Sequence, residues 1–450
     1  MPPRLTIWLA GSFVLCALAL LPLPGAAQTM EAPPPVPEGS LTCPPQDVPP
    51  VPGALLRSLV TQWALLKQDW CKLIKWDDTW PRLQYFMVDL FTGPGLHPTA
   101  GIVVPDGGAA GGLALNVDWN SSAPIQQRFA TSIEGRATAD GFWEIGGKIQ
   151  SLLAGYSERG KSPQVTLIGS HLDLPRLPYY GLGGDSSRSN RKLYGLRDSA
   201  GAASVDVPIP FGFAVGGEVA GLWFAPEVST SFGSVFNEQT APGLHTTTAY
   251  VRPRGSLSWN YPDRGALYGL SSSAVVSYGF HEAVSGGDFS FNRFEARWNV
   301  GLGLDPLFGA FRFASRIVVS DPRAHNRVPF YLQPTVGGAD INDENVLRGY
   351  PNYRFRDLDL VAYELSYERQ IVDPLGIRIF GQLAKVGAQF NDLGFSGLKT
   401  SAGFSLTFRL GAAAVAELSF GWSDAEGLHV YGTGNTNNLG GLTAGLRGVF

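Results

Sequence analysis

The chain has 450 residues, enough for two or three soluble domains or for one large barrel. Charged residues make up 16% and hydrophobic residues 44%, with 12% aromatic, whereas soluble domains carry about 25% charged residues. The net charge of −4 provides no basic field, so nucleic acid is not an expected partner.

Residues 1–27 read as a secretory signal. Arg4 is followed by an apolar stretch from Leu5 to Leu21, and the small residues Gly25 and Ala27 stand at a cleavage position before Gln28. Residues 28–52 are a Pro-rich tether. Residues 53–95 form a periplasmic or plug segment. Within it Leu56, Leu59, Val60, Trp63, Leu66, Trp70 and Leu73 recur at helical steps, so an N-terminal amphipathic helix is expected over 53–76. Its role stays open between a cap on the periplasmic side, an interfacial helix and a plug. Cys43 and Cys71 remain after cleavage, and the sequence leaves a disulfide and two free thiols as alternatives.

From residue 96 to 450 the period changes to two. In 293–302 Phe294, Ala296, Trp298, Val300 and Leu302 alternate with Arg293, Glu295, Arg297, Asn299 and Gly301. In 414–422 Ala414, Ala416, Leu418, Phe420 and Trp422 alternate with Val415, Glu417, Ser419 and Gly421. One apolar face and one polar face fit a wall between lipid and a wet lumen. About sixteen strands are expected, running from 98–106 and 111–119 through 356–372, 375–389, 398–410 and 412–424 to 438–450. The fold class is therefore all-β, an antiparallel transmembrane barrel. The long connections 174–194, 226–244, 323–355 and 425–437 all follow odd strands, whereas short turns follow even ones, as expected for long outer loops and short inner turns. The last strand ends on Phe450, which reads as an assembly signal.

The longest loop holds Val346-Leu347-Arg348-Gly349-Tyr350-Pro351-Asn352-Tyr353-Arg354-Phe355-Arg356, preceded by Gly337-Gly338. Together with Pro178-Tyr179-Tyr180-Gly181-Leu182-Gly183, it resembles the outer-membrane assembly and translocation barrel superfamily, whose shared domain is the bacterial surface antigen domain. That group includes the barrel-assembly protein, the translocation-and-assembly protein and the two-partner-secretion transporters. The resemblance implies that Leu347, Arg348, Gly349 and Tyr350 fold back into the lumen and that Arg348 meets acidic groups of the inner wall. A guanidinium suits that task through paired bonds to carboxylate, and Gly349 would permit a tight turn. The family's Asp in the thirteenth strand is replaced by Gln382, and its Glu in the twelfth by Ser366. Glu364 and Glu368 share the face of Ser366 and are the expected partners of Arg348. A Gln382→Asp change is accordingly expected to restore the family pairing. The short segment before the barrel suggests a member without the family's periplasmic transport modules.

Enzyme signals are absent: there is no G-x-S-x-G motif, and the six histidines show no metal-ligand spacing. No cofactor, metal or catalytic residue is expected. The resemblance implies translocation or insertion of protein or lipid; a passive porin-like channel and a structural anchor barrel are the alternatives. Expected partners are outer-membrane lipids, the barrel-assembly machinery during biogenesis and a periplasmic partner of the N-terminal helix.

Overall fold

The computed structural model describes residues 95–434 together with Leu90, apart from the connections 122–126, 154–161, 262–268, 306–308, 341–344, 373 and 411–412. The strands are β1 (Gly95–Ile102), β2 (Ala109–Ser121), β3 (Gln127–Thr138), β4 (Trp143–Leu153), β5 (Gln164–Tyr179) and β6 (Lys192–Ile209). They continue with β7 (Phe213–Val228), β8 (Thr248–Tyr261), β9 (Gly269–Ser285), β10 (Phe291–Asp305), β11 (Gly309–Pro322) and two short strands, β12 (Thr335–Val336) and β13 (Phe355–Arg356). The last five are β14 (Asp359–Val372), β15 (Leu375–Gly387), β16 (Lys399–Leu410), β17 (Ala413–Ser423) and β18 (Gly427–Gly434). All but β12 and β13 join one sixteen-stranded antiparallel sheet in strict chain order, with β11 pairing directly with β14. The ends of this sheet, β1 and β18, come side by side with no backbone ladder between their described residues. Among the described residues the sheet is thus a nearly closed barrel.

Alternation sets the two faces. On β7, Phe213, Val215, Val219 and Trp223 point outward, each at least 37% exposed, while Glu218, Ala220, Leu222 and Phe224 point into the lumen. The stretch from Phe213 to Trp223, at ~3.3 Å per residue and a tilt of about 40°, makes a band roughly 25 Å tall. Aromatic rings border the band. Phe213, Trp259 and Tyr261 stack in a row at one rim, with ring centroids 6.2 Å apart. The adjoining three-residue β6–β7 turn, Pro210–Gly212, places Phe211 and Gly212 both at positive φ and leaves the Phe211 ring 90% exposed. Tyr278 and Phe280 lie nearer the opposite end of the wall. So wide an apolar outer surface is stable in lipid rather than in water.

At the end of the barrel that carries the long connections, inward side chains and loop residues merge into a closed aromatic core. Phe330 contacts Tyr179 at 5.0 Å, Tyr194 at 4.8 Å and Phe232 at 5.9 Å, and it is fully buried. Phe232 comes from a one-turn helix (Thr230–Gly233) in the β7–β8 loop, capped by Ser229. Leu244 of the same loop and Phe289 of the β9–β10 loop complete the lid.

One expected element is corrected. Segment 425–437, read as a long loop, holds instead a tight turn, 424–426, and the sixteenth barrel strand, β18. Leu428 and Val430 project outward from it, 63% and 53% exposed, so the period-two signal was present but short and Gly-rich. The signal 1–27, the tether, the helix expected at 53–76, the Cys43–Cys71 pair, the strand expected at 438–450 and Phe450 lie outside the described residues.

Candidate functional site

The loop between β11 and β14 does not extend into solvent. It folds on itself through the β12–β13 ribbon and a set of main-chain bonds: Gly337 donates to the Val346 carbonyl at 3.0 Å, Gly338 to Leu347 at 3.1 Å, and Tyr353 to Gly337 at 3.0 Å. Leu347 takes a left-handed φ of 59° with its side chain fully buried, against Val336, Phe355, Leu360 and the inner wall at Ala384 and Val386. This packing aims the next residue at the wall.

Arg348 is 3% exposed and lies inside the barrel. Its Nη1 donates to Glu364 Oε2 of β14 at 2.9 Å, and its Nη2 stands 3.8 Å from Glu417 Oε1 of β17. The guanidinium lies over the Phe380 ring, 4.6 Å from its centroid, and the Arg348 main-chain N–H donates to Gln382 Oε1 at 2.8 Å. Gln382 spends both ends of its amide. Its Oε1 also accepts from Ser401 at 3.0 Å, and its Nε2 donates to Glu364 at 2.7 Å and to the Asn345 carbonyl at 3.2 Å. Glu364 and Gln382 sit opposite each other in the β14–β15 register, which brings both to Arg348, Glu364 to its guanidinium and Gln382 to its main-chain N–H.

Two expected details differ. Glu368 does not meet Arg348; it pairs with Arg409 and, at 3.4 Å, with Arg312. Four residues along a strand carry it about 13 Å from the place of Glu364, beyond the reach of one guanidinium. Ser366 is buried on the same face, opposite Phe380 and Arg312. The second carboxylate near Arg348 is Glu417, which also stands 3.6 Å from Arg378. It was missed in the sequence, although it is the only acidic residue on the polar face of its strand. The second difference concerns Gly349. Its φ is not positive, so no turn requires it. Close approach does: a Cβ there would come within 2.5 Å of the Trp422 carbonyl, and a Cβ on Gly421 within 2.1 Å of the Arg348 oxygen. The loop tip thus lies main chain against main chain on β17, fastened by Ser423 Oγ donating to the Gly349 carbonyl at 2.7 Å and by the Tyr431 hydroxyl donating to the Tyr350 carbonyl.

Two further arginines of the same segment tie it to the second singled-out motif. Arg354 donates to Ser186 Oγ at 3.0 Å and to its carbonyl at 2.7 Å, pairs with Glu426 at the turn before β18, and lies over Tyr180 and Phe355. Arg356 donates to the Phe330 carbonyl and lies over Tyr179. Gly183 donates its main-chain N–H to the Arg356 carbonyl at 2.8 Å. Asn352 reaches Asp106 of the β1–β2 loop at 2.8 Å. One loop therefore touches the wall at β14, β15 and β17, the β1–β2 loop and the turn before β18. No group of three or more His, Cys, Asp or Glu side chains suited to a metal occurs among the described residues.

No protein-family profile matches the chain, and no curated protein is significantly similar to it in sequence. Solved structures do match. A BamA crystal structure from Haemophilus ducreyi lacking POTRA domains 1–3 superposes with a TM-score of 0.52 at 10% identity, covering 75% of this chain and 70% of that one. CdiB from Escherichia coli gives 0.48 at 12% identity, with 75% of this chain and 62% of that one covered. CdiB from Acinetobacter baumannii gives 0.46 at 9%, covering 76% and 59%. At such identities the likeness is one of fold, and the chain has the sixteen-stranded barrel fold of BamA.

Proposed function

We propose that the protein is an outer-membrane barrel that translocates or inserts protein or lipid, with the lumenal loop as the element that holds the barrel shut. The observation that carries this reading is the path of that loop. It lies inside the barrel, is pinned at Arg348 to Glu364 and Gln382, and ties the β1–β2 loop through Asp106 to the turn before β18 through Glu426. A passive pore needs a continuous wet path; here the aromatic lid around Phe330 closes one mouth and the loop lies below it. The apolar band supports contact with membrane lipid, and the BamA fold supports the outer membrane and the assembly machinery as surroundings and partner.

The test is conductance of the purified full chain in a planar bilayer. The expected trace is closed with brief flickers, and a variant lacking the loop tip 346–353 should stay open longer. Steady large steps from the unaltered protein would overturn the reading in favour of a passive channel. Crosslinking in cells identifies the passenger: nascent barrel proteins or lipid carriers support the proposal, and an absence of either in repeated captures counts against it.

A further inference from the structure

The outer wall carries a polar feature beside the rim of the long loops. β5 is bulged, its register with β6 slipping between Leu174 and Leu177. A bulge leaves residues unpaired and re-aims their side chains. Here Pro175 and Arg176 overhang Gly195 of β6, where an added Cβ would lie 3.4 Å from the Pro175 carbonyl and 3.2 Å from Glu227 Cβ. An open groove of about 640 Å³ results between the bulge, the start of β6 and the end of β7.

Arg176, Arg191 and Lys192 line it with three cations, Ser229 and Ser231 add hydroxyls, and Glu227 is its one carboxylate. Glu227 is engaged by Arg197, just outside the groove. Arg176 is steadied by Asp140 at 2.8 Å yet remains 51% exposed, and Arg191 reaches Tyr180. Lys192 has no ion pair with any described residue. The groove is therefore positive after its own pairs are counted. Farther along the same outer wall Trp223 and Val251 project outward, 37% and 43% exposed. Cations above an apolar surface match an amphiphile with an anionic head. Guanidinium forks, an ammonium and hydroxyls together suit phosphate on a sugar better than a carboxylate, because phosphate accepts several charge-assisted bonds at once.

We propose that this groove binds the phosphorylated sugar headgroup of an outer-leaflet glycolipid, with its acyl chains against Trp223 and Val251. The proposal rests on the reading above that the odd-strand loops face the cell exterior from an outer membrane. A soluble anion would use the cations but gain nothing from the wall beneath them, and basic sites at the edge of a membrane-spanning wall are suited to lipid headgroups.

Native mass spectrometry of the full-length protein, stripped of lipid in detergent, tests it with bisphosphorylated lipid A, its acyl-matched dephosphorylated form and inorganic phosphate as probes. The bisphosphorylated lipid should bind one to one and at least tenfold more tightly than the dephosphorylated form. The triple variant Arg176→Ala, Arg191→Ala, Lys192→Ala should lose about tenfold, with Lys399→Ala, at another part of the rim, unchanged. All four side chains are accessible to solvent, and an unaltered heat shift on a gel verifies folding. Equal binding of the two lipids, or full retention by a folded triple variant, overturns the proposal. Complete displacement by millimolar phosphate also overturns it, marking a site for a soluble anion. Protease access to loop 229–247 in intact cells is scored separately. If that loop is sealed from outside while lipid binding holds, the orientation fails and the site stands.

Discussion

At the scale of single residues, the pair Arg348–Glu364 is the point where charge decides the structure. Both side chains are largely removed from water, 4% and 18% exposed. Glu364→Gln removes a charge-assisted bond and leaves Arg348 with Glu417 as its remaining counter-charge. A buried charged hydrogen bond contributes about 1.5–3 kcal/mol, and a wet lumen lowers this. Loop release should therefore become about tenfold more frequent, read as faster tryptic cleavage at Arg348 and Arg354. Adding Glu417→Gln should increase it again, and Glu368→Gln, whose partners are Arg312 and Arg409, should leave it unchanged. Equal effects at 364 and 368 would contradict the assignment. The geometry also reverses the expectation for Gln382→Asp. The Gln382 amide donates to Glu364, so Asp would set two carboxylates face to face and shorten the arm that accepts from Arg348. Cleavage should rise, and slower cleavage would show that the wall relaxes to re-form the pair. The motif made Arg348, Glu364 and Gln382 legible in the sequence. Glu417 was not, because nothing in a strand's own pattern says which distant loop it will face.

At the scale of elements, the strands were legible and their outermost neighbour was not. Alternation located β10 and β17 because each carries several large apolar residues on one face. β18 has eight described residues, three of them Gly, and its outward face is marked only by Leu428 and Val430 among the large residues. The lid was illegible for a different reason. Phe330 and Phe232 come from two loops and Tyr179 from the end of β5, far apart in the chain, and only the closed barrel brings them together. Two predictions belong here. Phe330→Ala removes a fully buried ring, a change that costs about 3–5 kcal/mol in a packed core. The barrel ladders do not depend on it, so the heat shift should persist while uptake of bulky solutes rises; unchanged uptake would mean that the lid is not the barrier. Gly421→Val puts a branched side chain where the Arg348 carbonyl now lies. The tip should lift from β17 and become a protease target, with strand pairing intact.

At the scale of the whole molecule, stability and location follow from the same closed sheet. Fifteen consecutive strand pairings, each antiparallel, pair the backbone along the described sheet from β1 to β18. In the hydrocarbon of a bilayer an unpaired N–H or C=O costs several kcal/mol, so a barrel is favoured there and an open sheet is not. Unfolding must break many ladders together, which makes the folded form resistant to detergent at room temperature. The protein should accordingly fractionate with the outer membrane and run faster on a gel before boiling than after. The loop variants Glu364→Gln and Gly421→Val should retain this shift, because they detach the loop and leave the sheet. Phe450→Ala separates assembly from folding. If the terminal aromatic is read by the assembly machinery, the exported variant should accumulate in the periplasm at several-fold lower membrane level, and the portion that does insert should show the normal shift. Recovery of the unaltered protein as a soluble periplasmic species would remove the basis of the membrane reading. Normal insertion of Phe450→Ala would remove only the reading of Phe450 as a signal.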